Sequence, residues 1–293
     1  MIEGHGLGDR IANFVIYSVL IAVTACCFAP FIYVVARSFS SYDAVLENRV
    51  FLWPVGFNLD NYIFLVRADR LFLRTFATSL ARVLTGVVLN LAVAVLTAYP
   101  LSRDRLHIPG RSVFKFYMLF SMLFSGGLIP TFLAYKSLGL IDKFAVYIVP
   151  GALNVFYAII VANYFRGLPM ELSESALLDG ANHFDVLLRI FLPLSLPVLA
   201  TIAVFSAVGH WNSWFDGMIF MSRNTKWPMQ SYLYSRITQR RILAGNPDPT
   251  FPEMTPEAVA AAMIVVAALP IMLVYPFAQK YFITGLTLGA VKG

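Results

Sequence analysis

Residues 168–197 read LPMELSESALLDGANHFDVLLRIFLPLSLP, the only long stretch of mixed polar and apolar character between two strongly hydrophobic ones. Pro169 suits the first turn of a helix, and Glu171, Ser173 and Glu174 put acceptors and negative charge at its electropositive end. Gly180 supplies a residue that tolerates positive φ and stops that helix. Asn182, with Asp185 three residues on, opens a second helix in the manner of a capping box. That helix climbs through Leu187, Leu188 and Ile190 to Pro193. Two short helices hinged at a glycine and tethered to an apolar span make a docking element.

The surrounding composition gives the setting. Of 293 residues 59% are hydrophobic and 13% charged, and the mean hydropathy is +0.72. A soluble chain of this size carries about a quarter charged residues. Apolar blocks fall at about 11–36, 74–99, 113–133, 144–165, 190–208 and 258–278, each near the ~20 residues that cross a bilayer as helix. The expectation is an all-α integral membrane protein, one domain over 1–293, with six spans and the polar segment 168–193 between the fourth and fifth. The first block is too long for a signal-peptide core. Cys26 and Cys27 are adjacent within it, so they build no disulfide framework.

An ordinary interhelical loop also contains glycines and capped turns, but the spacing here is particular. Glu174-Ser175-Ala176 is followed by Gly180 four residues after Ala176, and Ile190-Phe191-Leu192-Pro193 begins ten residues after the glycine. This register resembles the EAA motif of permease subunits of binding-protein-dependent ABC importers, with Ser175 replacing the motif's central alanine. The Asp60-Asn61-Tyr62 run after Trp53-Pro54, the FSGGLIPTF segment and the glycine-spaced tail from Gln279 to Gly293 resemble the same family in its maltose-type branch. In length and external basicity the chain resembles the smaller permease of an alginate oligosaccharide importer.

The resemblance implies function. Leu172, Glu174, Ser175, Ala176, Leu177, Asp179 and Gly180 would dock on an ATPase, the leucines and Ala176 by packing and Glu174 by an ion pair. Partners would be a second related permease, two ABC ATPases, an extracytoplasmic solute-binding protein, a carbohydrate and membrane lipid, with no nucleic acid. ATP closure of the ATPases would rock the spans and switch access. ATP and Mg would belong to the partner ATPases, and this chain would bind no cofactor. Consistently, it has no G-x-x-x-x-G-K-[ST] loop. The location implied is a bacterial inner membrane, with both termini cytoplasmic. On that topology nine Lys and Arg fall inside and twelve outside, with Arg82 completing the 22. Charge counting therefore does not settle orientation. Nine external acids leave the outer face at +3, which reads either as scattered solvated charge or as a mouth that attracts an acidic sugar.

Other residues carry open alternatives. In the second block Thr75, Thr78, Arg82, Thr85, Asn90 and Thr97 recur at helical spacing, so most of these polar groups share one stripe. Arg82 either lines a cavity for an anionic or hydroxyl-rich substrate or snorkels outward while the stripe bonds neighbouring helices. In the third block Ser125-Gly126-Gly127 favours close helix packing over a broken helix. In the fourth, Tyr147, Asn154 and Tyr157 fall near one face and suit either a sugar path or a core. Trp211, Trp214, Arg236, Arg240 and Arg241 suit an outer-mouth or binding-protein surface. His210 near Asp216 lacks a nucleophile or metal spacing, and no metal site or catalytic residue is expected. A stand-alone secondary carrier or channel is the rival reading. It predicts internal repeats with paired broken helices, and no convincing repeat is visible. A scaffold or membrane enzyme ranks last.

Overall fold

The computed structural model describes residues 7–67, 69–103, 109–243 and 255–290, with the side chains of 7, 9, 239–243, 275 and 277–290 outside the description. Among the described residues there is no β-strand. Fourteen α-helices follow in order: α1 Leu7–Ser38, α2 Tyr42–Leu46, α3 Asp60–Arg67, α4 Arg70–Ser102, α5 Arg111–Leu123, α6 Leu128–Ser137, α7 Val155–Arg166, α8 Glu171–Leu178, α9 His183–Val186, α10 Leu192–Leu194, α11 Leu196–Asn212, α12 Phe215–Phe220, α13 Met229–Leu243 and α14 Pro256–Ala290. Among the described residues three helical stretches are long and apolar enough to cross a membrane, Arg10–Ser38, Arg70–Ser102 and Pro256–Val274, and a fourth is reached only if the bent pair His183–Leu194 and Leu196–Asn212 is taken as one. The three coincide with the first, second and sixth apolar blocks.

The chain divides into two compact units. In the first, Met1–Arg70 with Ser235–Leu269, Ala36, Ala44, Val45, Val50 and Ala258 form a small core. Asn61 donates to the Ser38 carbonyl at 3.1 Å and the Tyr62 hydroxyl meets Ser38 at 2.7 Å. Those contacts give the Asp60-Asn61-Tyr62 run its role as a brace on the end of α1. Thr255 caps α14, its Oγ1 accepting from Ala258 N at 3.1 Å, with Pro256 next, where its missing N–H costs nothing.

The second unit, Leu71–Tyr234 with Pro270–Gly293, departs from the expected spans at each proline or glycine cluster. The third block is not one helix. Phe124 is extended and Gly127 sits at φ 83°, so α5 ends and α6 begins there. A Cβ on Gly127 would meet nothing within 4 Å, which rules against close packing as the reason for the glycine. The fourth block is not one helix either. A 3₁₀ turn covers Phe144–Tyr147, and α7 starts only after Asn154. Pro150 and Gly151 break the ladder, and Asn154 Oδ1 then caps α7 by accepting from Tyr157 N at 3.3 Å. Tyr147, Asn154 and Tyr157 therefore do not share a helical face.

The fifth block is also divided. The segment His183–Leu194 meets Leu196–Asn212 at 80°. Pro193 has no N–H and crowds the carbonyl four residues back, and the preceding Leu187–Phe191 turn widens to a π-helix. Ser195 N closes the corner on the Phe191 and Leu192 carbonyls, at 3.0 and 3.2 Å. The straight helix α11 thus starts at Leu196 rather than at Ile190.

A docking elbow and a buried polar cluster

The elbow is built by local bonds. In α8, Ser173 N and Glu174 N both donate to the Met170 carbonyl, at 3.0 and 3.1 Å, so Pro169 precedes the helix instead of lying in its first turn. Gly180 adopts φ 88°. Ala181 N then reaches back to Ala176 O at 3.0 Å and Gly180 N to Leu177 O at 3.1 Å, a Schellman closure that only a residue at ease in the left-handed region supports. Asn182 Oδ1 accepts from Phe184 N at 2.9 Å and Asp185 N at 3.0 Å. Asp185 turns to Arg189 at 3.4 Å, one helical turn on.

One face of the elbow is anchored and the other is bare. Phe191 is fully buried, edge-on to Phe165 at 5.2 Å and to Tyr99 at 5.4 Å. Val186 and Leu187 join it in the core, and Ala176 and Ala181 pack against that core. The Tyr99 hydroxyl lies 3.2 Å from His183 Nδ1, and the Arg103 guanidinium stands 4.1 Å over the Phe191 ring. Burial draws Arg103 below the usual guanidinium range, while Tyr99 and Glu174 pull it back up. On the opposite face Leu172, Leu177, Leu178, Phe184 and Leu188 are exposed, Leu178 at 88% and Phe184 at 66%. Of the expected docking residues, Leu172, Glu174, Ser175, Leu177, Asp179 and Gly180 lie on exposed positions, whereas Ala176 faces inward. Leu178 and Phe184 were not among them. Their signal was available: apolar residues flanking a predicted glycine stop within an otherwise polar run.

The second constellation is long-range. On α4 the buried positions Thr75, Ser79, Arg82, Gly86 and Asn90 form one stripe. Thr78 and Thr85 instead bond their own helix, donating to Arg74 O at 3.0 Å and Ala81 O at 2.6 Å, and do not join that stripe. Arg82 donates through Nη1 to Asp216 Oδ1 at 3.0 Å and through Nη2 to Asp216 Oδ2, a bidentate pair. Its guanidinium carbon lies 4.8 Å over the Tyr147 ring, and Nε points at His210 Nδ1 at 3.5 Å. Asn90 Oδ1 accepts from Ser206 Oγ at 2.7 Å and contacts His210 Nε2 at 2.9 Å. The Asn90 amide donates to Gly151 O at 2.7 Å and Ala152 O at 3.0 Å. With Arg82 donating to Nδ1 and Asn90 accepting from Nε2, the network fits the neutral Nε2–H tautomer of His210. A Cβ on Gly86 would overlap the His210 ring, so the glycine is what lets α11 carry a histidine there.

The cluster extends outward. Tyr147 donates its hydroxyl to Lys226 O at 3.1 Å, and Lys226 Nζ meets Asp142 Oδ2 at 2.7 Å. The Lys226 bond holds the Asp142 carboxyl below its ordinary range, with the Ser222 bonds acting in the same direction. Arg82 is therefore neither snorkelling nor open to solvent. Its side chain is 5% exposed and matched donor for acceptor.

These two constellations sit within a chain whose residues 108–287 match the model of the family described as "Binding-protein-dependent transport system inner membrane component". The chain belongs to this family. Among curated relatives, it is 38% identical to the polygalacturonan/rhamnogalacturonan transport system permease protein YtcP of Bacillus subtilis, over 97% of this chain and 99% of that protein. It is 41% identical to protein LplC of the same organism, over 92% and 91%. Among solved structures it matches a chain of a bacterial ABC transporter involved in the import of the acidic polysaccharide alginate. The TM-score there is 0.87 and the identity 35%, covering 95% of this chain and 99% of that one. The resemblance to permeases of binding-protein-dependent importers is thereby established, and this permease is a membrane component of a transport system.

The remaining expected residues of the permease are dispersed. Trp211 is buried and edge-on to Phe76 at 5.6 Å, so it belongs to the interior and not to an outer surface. Trp214 stacks on Tyr234 at 4.0 Å and keeps an exposed edge. Arg236 lies 3.6 Å from the buried Asp69. The side chains of Arg240 and Arg241, and those of the tail from Gln279, lie outside the described residues. Tyr157 packs against the core that holds the elbow. Among the described residues no group of three or more His, Cys, Asp or Glu is placed to hold a metal.

Proposed function

We propose that this chain is one of two related permease subunits of an ATP-driven importer of acidic oligosaccharides. The elbow of residues 168–193 would be its docking piece on an ABC ATPase. The observation that carries this reading is the bare apolar face of the elbow, whose His183–Leu194 arm stands at 80° to α11. Exposed leucines and a phenylalanine on a rigid, capped, polar-flanked turn call for a protein groove to cover them. Glu171, Glu174 and Asp179 border that face and would meet basic groups of the ATPase.

The topology adopted has six crossings, with α5 and α6 as one broken crossing, and α7 and α11 as two short ones. The elbow and both termini lie in the cytoplasm. Closure of two ATPases on ATP and Mg would draw the docked elbows together. The second unit would follow as a body, because Phe191 ties the elbow to α4 and α7. An extracytoplasmic binding protein, as the family description implies, would deliver the solute. For that solute, the relatives named for polygalacturonan and alginate share uronate chemistry, and a uronate oligosaccharide follows.

The test is reconstitution of the complex that co-purifies from native membrane, with ATP hydrolysis read against added oligosaccharide and binding protein. Stimulation by oligogalacturonate or oligoalginate, and none by a neutral malto-oligosaccharide of equal length, is expected. Absence of an ATPase from the purified complex would end the docking reading. Equal stimulation by the neutral sugar would end the solute assignment.

A further inference from the structure

We propose that residues 46–57 form an interfacial anchor, with Phe51 and Trp53 seated in the headgroup layer of the bilayer that α1 crosses. The inference goes beyond the transport reading: it needs α1 to span a membrane, and neither the elbow nor the solute enters it. Along α1 every residue from Ile11 to Pro30 is exposed, about 30 Å of helix. That length matches the ~30 Å hydrocarbon core of a bilayer. From Tyr33 onward the helix instead turns side chains into protein, and Ala36 and Ser38 are buried. The apolar surface that α1 offers its surroundings therefore ends close to Tyr33.

The chain after Ser38 is folded back onto that same level. Val45, Leu46 and Asn48 share a cleft with Tyr33, Val34 and Arg37, and Val50 packs in the small core that holds Ala36. Ser41 N donates to Val55 O at 3.0 Å, Val55 N donates to Ser40 Oγ at 3.1 Å, and Phe39 stacks on Phe57 at 5.4 Å. The loop is thus pinned at both ends while its middle stands clear: Phe51 is 75% exposed and Trp53 80%. An indole, with an apolar body and one N–H, suits the boundary between acyl chains and headgroups. The charges beside it fit that level too, since Glu47 and Arg49 pair with each other at 2.6 Å and bring no net charge. A lipid surface is the occupant because the patch continues the exposed apolar surface of α1 at the point where that surface ends.

The test places the purified transport complex in nanodiscs of phosphatidylcholine brominated either near the headgroup end of its acyl chains or near their middle. Emission of the Trp53→Phe variant is subtracted from that of the unchanged complex, so that Trp53 alone is read. Seated at the boundary, Trp53 is quenched at least about twofold more by the shallow bromine than by the deep one, and is shielded from iodide in the buffer. Phe51→Trp in the Trp53→Phe background should restore the same depth profile. Equal or greater quenching by the deep bromine would put the loop in hydrocarbon, and quenching by iodide with none from either lipid would put it in water. Either result overturns the anchor. So does loss of the shallow quenching when solute-loaded binding protein is added, since the loop would then serve that partner. A complex lacking an ATPase would still give this readout, so the transport reading and the anchor fail separately.

Discussion

The elbow and the Arg82 cluster use opposite means to hold their shape. In the elbow the bonds that set the turn are local: Ala181 to Ala176, Asn182 to Asp185, Asp185 to Arg189. Leu172, Leu177, Leu178, Phe184 and Leu188 are turned outward. In the cluster the bonds join residues 61 to 134 positions apart, such as Asn90 to Gly151 and Arg82 to Asp216, and the polar side chains are turned inward. The first is a shape made to be covered by something else. The second is already complete. A polar cluster satisfied donor for acceptor rigidifies its surroundings, and this one welds α4, α11, α12 and the Phe144–Tyr147 turn.

The sharpest way to break this comparison is Asp216→Ala. Removing one partner leaves the Arg82 charge buried and uncompensated, a loss of about 3–5 kcal/mol. The expected outcome is a large drop in thermal stability and in the amount of inserted protein. The double variant Arg82→Met/Asp216→Leu should recover most of it, because no orphan charge remains. Failure of Asp216→Ala to destabilise would mean that the cluster is open in the membrane and is a candidate solute contact after all. Gly86→Val ranks next, at about 1–3 kcal/mol for overpacking against His210. Gly86→Val combined with His210→Ala should relieve most of that cost, as melting of the purified protein would report.

The same contrast explains what could be read before any coordinates. The elbow was legible almost residue by residue, because caps, a glycine stop and a proline are short-range signals with fixed consequences. Even there, the 80° corner at Ser195 was hidden, since the apolar run from Ile190 to Val208 has no polar interruption except Ser195, Thr201 and Ser206, and none of them is a helix stop. The cluster was legible only as a list. Arg82, Asn90, Tyr147, His210 and Asp216 were each noticed, but nothing in their spacing says that they meet. Trp211 was misplaced for the same reason: an aromatic near a span end looks like an interface residue until Phe76 is found beside it. Block lengths gave a third and fourth helix that glycine and proline in fact divide.

Gly180 separates conformational from packing effects within the elbow. Its missing Cβ would meet nothing within 4 Å, so only the backbone angle, φ 88°, resists a side chain. Gly180→Val should cost about 1–2 kcal/mol locally, with little change in global melting and loss of ATP-coupled uptake. Gly180→Asn, which tolerates the left-handed region, should retain most of the uptake. Equal behaviour of the two variants would show that the Schellman closure does not set the docking angle.

The smallest effect on stability is also the most discriminating. Leu178 and Phe184 are 88% and 66% exposed, so Leu178→Ser and Phe184→Ser bury or expose almost nothing within this chain. Each should change its stability by less than about 0.5 kcal/mol, the usual range for surface positions. If a partner covers them, however, each loses a buried side chain at the interface, and truncation at such an anchor costs about 1–2 kcal/mol or more of association. Retention of the ATPase through size-exclusion chromatography should therefore fall about tenfold or more in the double variant, while melting stays put. The two halves of that result must separate for the comparison to stand. A drop in stability without loss of association would place these side chains inside the fold, and the elbow would then resemble the Arg82 cluster: a finished piece of interior, with nothing left to dock.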